Sequence, residues 1–112
     1  MTYETYRDLI TAALTAESEE MFIAEQGWAD WMDEYGGDTD RLVSDMRNIY
    51  KVAHMTVRDL ISASGMTKAA FSRRFLIHLR TVENWVYGIH PCPIYVRMMI
   101  ADLLGIVAVE RR

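Results

Sequence analysis

At 112 residues the chain can form one ordinary domain or two small helical units, and about half of it is apolar, so a core can be buried without staples. The single cysteine, Cys92, excludes an internal disulfide and fits a reducing compartment; no apolar run approaches the ~20 residues needed to cross a bilayer. The net charge of −4 hides an asymmetry: residues 1–54 hold 4 basic and 12 acidic residues, residues 55–112 hold 8 and 4, so any work on a polyanion belongs to the C-terminal part.

The opening MTYETYRDLI lacks the basic and apolar regions of a signal peptide, which makes the cytoplasm the expected location and a membrane partner unexpected. A first helix is predicted from about Thr2 to Ala16, with Tyr3, Tyr6, Ile10, Ala13 and Leu14 on one face. Ser18 caps a second helix that should run to Tyr35, its acidic first turn Glu19-Glu20 suited to the dipole. The apolar face of that helix reads Met21, Ala24, Trp28, Trp31, Met32 and Tyr35, and Gly36-Gly37 ends it. Asp38 or Thr39 caps a third helix ending near His54, with Leu42, Met46, Ile49, Tyr50 and Ala53 inward.

A boundary falls at Met55. Thr56 and Asp59 resemble a capping box for a short helix carrying Val57, Leu60 and Ile61 to Ser64, and Gly65 supplies the turn. Thr67 caps a helix from Lys68 to Phe75, the tight connection Leu76-Ile77-His78 follows, and a further helix spans about Leu79 to Tyr87 before Gly88. Pro91 and Pro93 bracket a turn, and Pro93 suits the first position of a last helix reaching about Leu104.

Two short helices joined by about three residues, the second polar on its outer face, make a helix-turn-helix layout, in which the second helix presents its N-terminal residues to a major groove. Ala70, Phe71, Phe75, Val82, Trp85 and Val86 read as the inner faces; Lys68, Arg73, Arg74, Arg80, Thr81, Glu83 and Asn84 are left outside. The order Leu60…Gly65, Thr67-Lys68-Ala69-Ala70-Phe71, Arg80-Thr81-Val82-Glu83-Asn84-Trp85, Gly88, Pro91-Cys92-Pro93 and Leu103-Leu104-Gly105 resembles the Cro/phage-repressor (Xre) family over roughly residues 55–106. The resemblance implies a five-helix, lambda-repressor-like domain that binds double-stranded DNA, usually as a homodimer, through its third helix. It places His78 at the cap of that helix, Leu79, Arg80, Thr81 and Asn84 toward the groove, and Thr67 and Lys68 at a phosphate. Arg pairs well with guanine and Asn with adenine. Leu76 stands where the family commonly has glycine, Val86 where it commonly has an acidic residue, and Ile89-His90 fill a loop that often holds small or basic residues; His90 remains the contact candidate there.

The expected fold is therefore all-α: an acidic three-helix region over residues 1–54, for dimerisation or partner binding, then the helix-turn-helix domain over residues 55–112. The expected function is sequence-specific DNA binding in a prokaryotic or phage transcriptional regulator. The competing reading is a protein-interaction module, antitoxin-like or an adaptor, whose N-terminal aromatics Trp28, Trp31 and Tyr35 anchor a partner; an acidic DNA mimic is a third. His54, His78, His90 and Cys92 lack a zinc-ligand spacing and Cys92 lacks an evident base, so neither metal, cofactor nor catalysis is expected.

Overall fold

In a computed structural model, which describes residues 1–110, these residues are all-helical and without strands. They carry α1 (Tyr3–Thr15), α2 (Glu19–Glu25), a 3-10 helix (Asp30–Tyr35), α3 (Thr39–His54), α4 (Val57–Ser64), α5 (Lys68–Phe75), α6 (Leu79–Val86) and α7 (Ile94–Leu103). The chain divides into two units. One comprises Met1–His54 together with the residues described beyond Leu104; the other is Met55–Leu104.

In the first unit α1 packs on α3, and α2 and the 3-10 helix also lie against α3. Thr2 and Ser18 cap α1 and α2 by accepting the amide protons of Thr5 and Met21. The carboxylate of Asp38 does the same for Arg41 at 3.1 Å, in the first turn of α3. Its core is Tyr6, Leu9, Ile10, Ala13, Phe22, Met32, Tyr35, Leu42, Met46, Ile49, Val52 and Ala53. His54 ties the end of α3 to α1 through its Nε2 and the carbonyl of Ala13, 2.9 Å apart.

Three expectations are corrected here. The helix foreseen from Ser18 to Tyr35 is broken: α2 ends at Glu25, Gly27 takes φ +58°, and the chain resumes as a 3-10 helix at Asp30. An interior glycine costs a helix about 1 kcal/mol relative to alanine, and a left-handed φ ends it. Within α2 Phe22 is sealed while Met21 and Ala24, foreseen as inward, are exposed, and Trp28 beyond the break is exposed as well. Tyr3 and Leu14, foreseen as inward, are also exposed, and Leu9 takes their place in the core. Finally, the stretch from Met55 holds four helices among the described residues, not five. The residues after Leu104 form no helix and join the first unit, where the amide of Glu110 donates to the carbonyl of Met1 at 2.8 Å. Arg111 and Arg112, assigned to the C-terminal domain by the sequence reading, lie outside the described residues.

In the second unit α4 touches α5, α6 and α7, and α5 also packs on α6. Its start is fixed by a complete capping box: the Thr56 hydroxyl accepts from the Asp59 amide at 3.1 Å, and the Asp59 carboxylate accepts from the Thr56 amide at 2.9 Å. Val57, Leu60, Ile61, Phe71, Val82, Met98, Ile100 and Ala101 form the core. Burying a side chain such as Phe71 contributes roughly 1.5–3 kcal/mol, and Phe71 meets Phe75 edge-on at 4.8 Å between ring centroids.

Candidate nucleic-acid interface

Residues 76–78 determine how α5 and α6 meet. Leu76 takes φ 55° and ψ 41°, the left-handed turn that a glycine adopts without penalty. Ser72 holds the turn from inside. Its hydroxyl donates to the carbonyl of Ile77, and its own carbonyl accepts the amide of Ile77 at 3.0 Å. Ser72 is buried, as such a clamp requires. His78 is the N-cap of α6, its Nδ1 accepting the Arg80 amide at 3.4 Å.

Helix α6 is strongly two-sided. Val82 is fully buried, whereas Arg80 is exposed, Leu79 is exposed, and Thr81, Glu83 and Asn84 are partly exposed. Trp85 and Val86 keep partial exposure as well, so the tryptophan is not sealed in the core. At the far end the carbonyl of Asn84 accepts the amide of Ile89 at 2.9 Å and so folds the loop that carries the exposed His90.

The other candidates divide between the two ends of α5. Thr67 caps the start, its hydroxyl oxygen accepting the Ala70 amide proton at 3.1 Å. Lys68 follows and reaches across to α6: its Nζ donates to the Tyr87 hydroxyl at 2.7 Å and stands 4.7 Å from the centroid of that ring. The Tyr87 hydrogen bond, above all, holds the ammonium's pKa above its ordinary value; the Glu83 carboxylate adds to this, and burial and the Arg58 charge oppose it. Arg58, Ile61, Lys68, Val86 and Tyr87 line one shallow cavity of about 380 Å³. At the other end, Arg73 and Arg74 are exposed in the last turn of α5, Arg74 lying 5.5 Å from the Phe75 ring.

The structure thus brings Lys68 and Glu83 together and leaves Arg73 and Arg74 at the opposite end of α5, beside the turn into α6. Arg58 and Tyr87 join the group around Lys68 without having been foreseen. Nothing local flags them, because Arg58 lies on α4 and Tyr87 merely follows the last residue of α6; only packing makes them neighbours. Large apolar side chains in the turn, on α6 and just beyond it are also left in water: Leu76, Leu79, Tyr87 and Ile89 are all exposed.

In the first unit, Trp28 is 63% exposed, its indole N–H donating to the Asp33 carboxylate at 3.1 Å. Trp31 lies edge-on to Tyr35, 6.1 Å away. The Tyr35 hydroxyl donates to Asp45 at 2.6 Å; burial first, then that bond, raises its pKa well above the tyrosine range. No group of three or more histidines, cysteines or carboxylates is placed to hold a metal ion among the described residues, and no helix is long and apolar enough to cross a membrane. Comparison with protein-family models, with curated proteins and with solved structures yields no match.

Proposed function

We propose that the second unit binds double-stranded DNA sequence-specifically, as a helix-turn-helix module in a transcriptional regulator, with α6 entering the major groove. One observation carries the reading: α6 anchors itself through Val82 and turns Arg80, Thr81 and Asn84 outward from a capped N-terminus. A groove-reading helix needs that arrangement, because base edges are met by side chains near its start. Arg80 is the guanine partner and Asn84 the adenine partner. Lys68, Arg58 and the Tyr87 hydroxyl, grouped at the first turn of α5, offer one phosphate contact; Arg73 and Arg74 offer another. Binding as a homodimer would present two copies of α6 to half-sites about one helical turn apart.

The test is selection from random duplexes with the full chain at two salt concentrations. Enrichment of an inverted repeat supports the reading, and recovery of unbiased sequence at both salts counts against it. On a selected site Arg80→Ala should cost about 1–3 kcal/mol and relax preference at one base pair. An equal loss on every sequence would make Arg80 a phosphate contact instead.

A second reading, an antitoxin-like or adaptor protein that works through protein contacts, is favoured by the exposure of Trp28 and of Leu76, Leu79 and Ile89. Large apolar side chains held in water mark contact surfaces when they cluster. Failure of the duplex selection together with loss of a partner on Trp28→Ala would support that reading.

A further inference from the structure

Helix α7 is apolar on more than its inner side. Met98, Ile100 and Ala101 are buried in the second unit, yet Tyr95, Met99 and Leu103, four residues apart along the helix and so on one stripe, are each more than half exposed. Beside them Phe75 and Ile77, from the end of α5 and its turn, complete a groove floored by the buried Ile100. Its volume is about 200 Å³, below the roughly 300–1,000 Å³ of small-molecule sites and suited to one large side chain. Among the described residues, none that lines it is charged. Cations stand at its rim: the Arg74 guanidinium lies 5.5 Å from the Phe75 ring, and Arg73 precedes it, exposed. The DNA-binding reading leaves the groove itself unused.

We propose that this groove receives Trp28 of a second copy of the chain. Trp28 is the most exposed aromatic side chain among the described residues. Its ring is already oriented, because the indole N–H donates to the Asp33 carboxylate at 3.1 Å, so little side-chain freedom is lost on docking. The charges around it are of one sign: residues 27–38 hold Asp30, Asp33, Glu34 and Asp38 and no lysine or arginine, and Asp30 and Asp33 are exposed. An aromatic knob among carboxylates thus meets an apolar slot rimmed by arginines. Tryptophan and arginine are the side chains that most often anchor contact surfaces, and opposite charge fixes the register. Packing α7 on α7 would cover the same stripe but make no use of the excess of acid in residues 1–54 and of base in residues 55–112. A tryptophan buries only ~150–250 Å², small beside the ~800 Å² per partner of a standard interface, so the association is weak. The contact does not rest on the DNA reading. Where that reading holds, phosphate and the second copy compete for Arg74; where it fails, the contact is unaffected.

The experiment is sedimentation equilibrium of the full chain without DNA, from about 5 µM to about 500 µM, at about 0.05 M and about 0.5 M salt. Self-association with Kd on the order of 10⁻⁵ to 10⁻⁴ M is expected, weakened about tenfold at the higher salt. Trp28→Ala and Met99→Glu should each raise Kd about tenfold or more; both positions are exposed, and circular dichroism melts report that the fold survives. Asp30→Arg and Arg74→Glu should each weaken association alone, and an equimolar mixture of the two should regain a 1:1 complex. A folding defect in either variant could not produce that gain, so the mixture decides the matter even where Trp28→Ala fails to fold. A chain that is monomeric at every concentration, association unchanged by Trp28→Ala, or no gain on mixing would each overturn the proposal. Association that ignores salt and is lost only with Met99→Glu would overturn it in favour of α7 packing on α7.

Discussion

Leu76 offers the sharpest check on the local physics of the candidate interface. It sits at φ 55° with its side chain 94% exposed, so its replacement loses almost no packing. An L-residue pays roughly 1–2 kcal/mol in this conformation. Glycine escapes that penalty but gives up about 0.5–1 kcal/mol of extra chain entropy on folding. Leu76→Gly should therefore stabilise the protein by about 0.5–1 kcal/mol. For a chain of this length, with an unfolding entropy of about 2.1 cal/mol/K per residue, the thermal midpoint rises by roughly 2–4 °C. Leu76→Ala is the control, because alanine keeps the backbone penalty and should leave the midpoint unchanged. Differential scanning calorimetry at one protein concentration measures both. An alanine gain equal to that of glycine would show that removing exposed leucine, not relieving the backbone, is responsible. A lower midpoint for glycine would refute the strain argument outright.

Phe71→Ala removes a fully buried ring at the centre of the second unit and should cost about 3–5 kcal/mol in denaturant unfolding; a loss under 1 kcal/mol would contradict the packing described. Lys68→Ala should lower the slope of log binding constant against log salt by about one unit on any duplex, and an unchanged slope would remove Lys68 from the phosphate contacts. Cys92 has a folded pKa raised from 9.0 to about 11, so its contribution to stability is present below the lower value and fades as pH climbs through the upper one. Its alkylation by iodoacetamide should follow a midpoint near the upper value, and a midpoint at the ordinary cysteine value would show that the thiol is not buried as described.

The helix ends around the candidate site were legible because their signals are local. Thr56 and Thr67 each accept an amide of the following first turn, and short polar acceptors before an apolar run announce that role; His78, which accepts the Arg80 amide, was placed at its cap by the family resemblance alone. Pro93 precedes α7 rather than opening it, a shift of one residue. The N-terminal unit was harder to read, because Trp28, Trp31, Met32 and Tyr35 continue a helical spacing straight across Gly27. Periodicity counts side chains and is blind to one left-handed φ. The buried face of that segment was set wrong and Phe22 was missed; Leu9 was missed separately, on α1, where Tyr3 and Leu14 were taken as inward. At the site itself, exposure of Arg73, Arg74 and Arg80 follows from helical phase. The Lys68–Tyr87 bond and the Ser72 clamp arise from α5 packing on α6 and from the folded-back turn, and no spacing rule encodes either. The tail after Leu104 departs from the domain division because it groups with the first unit, where the Glu110 amide donates to the Met1 carbonyl, and backbone pairing of that kind has no sequence signature.

The central claim is that the outward edge of α6 receives a DNA groove. Backbone amide shifts of the full labelled chain, followed while a mixed-sequence duplex of about two helical turns is added at low salt, test it most directly. The account predicts the largest changes from His78 to Asn84, with a second group at Thr67 and Lys68 and little movement in residues 1–54. Changes confined to residues 1–54, or no change at any salt concentration, would contradict it.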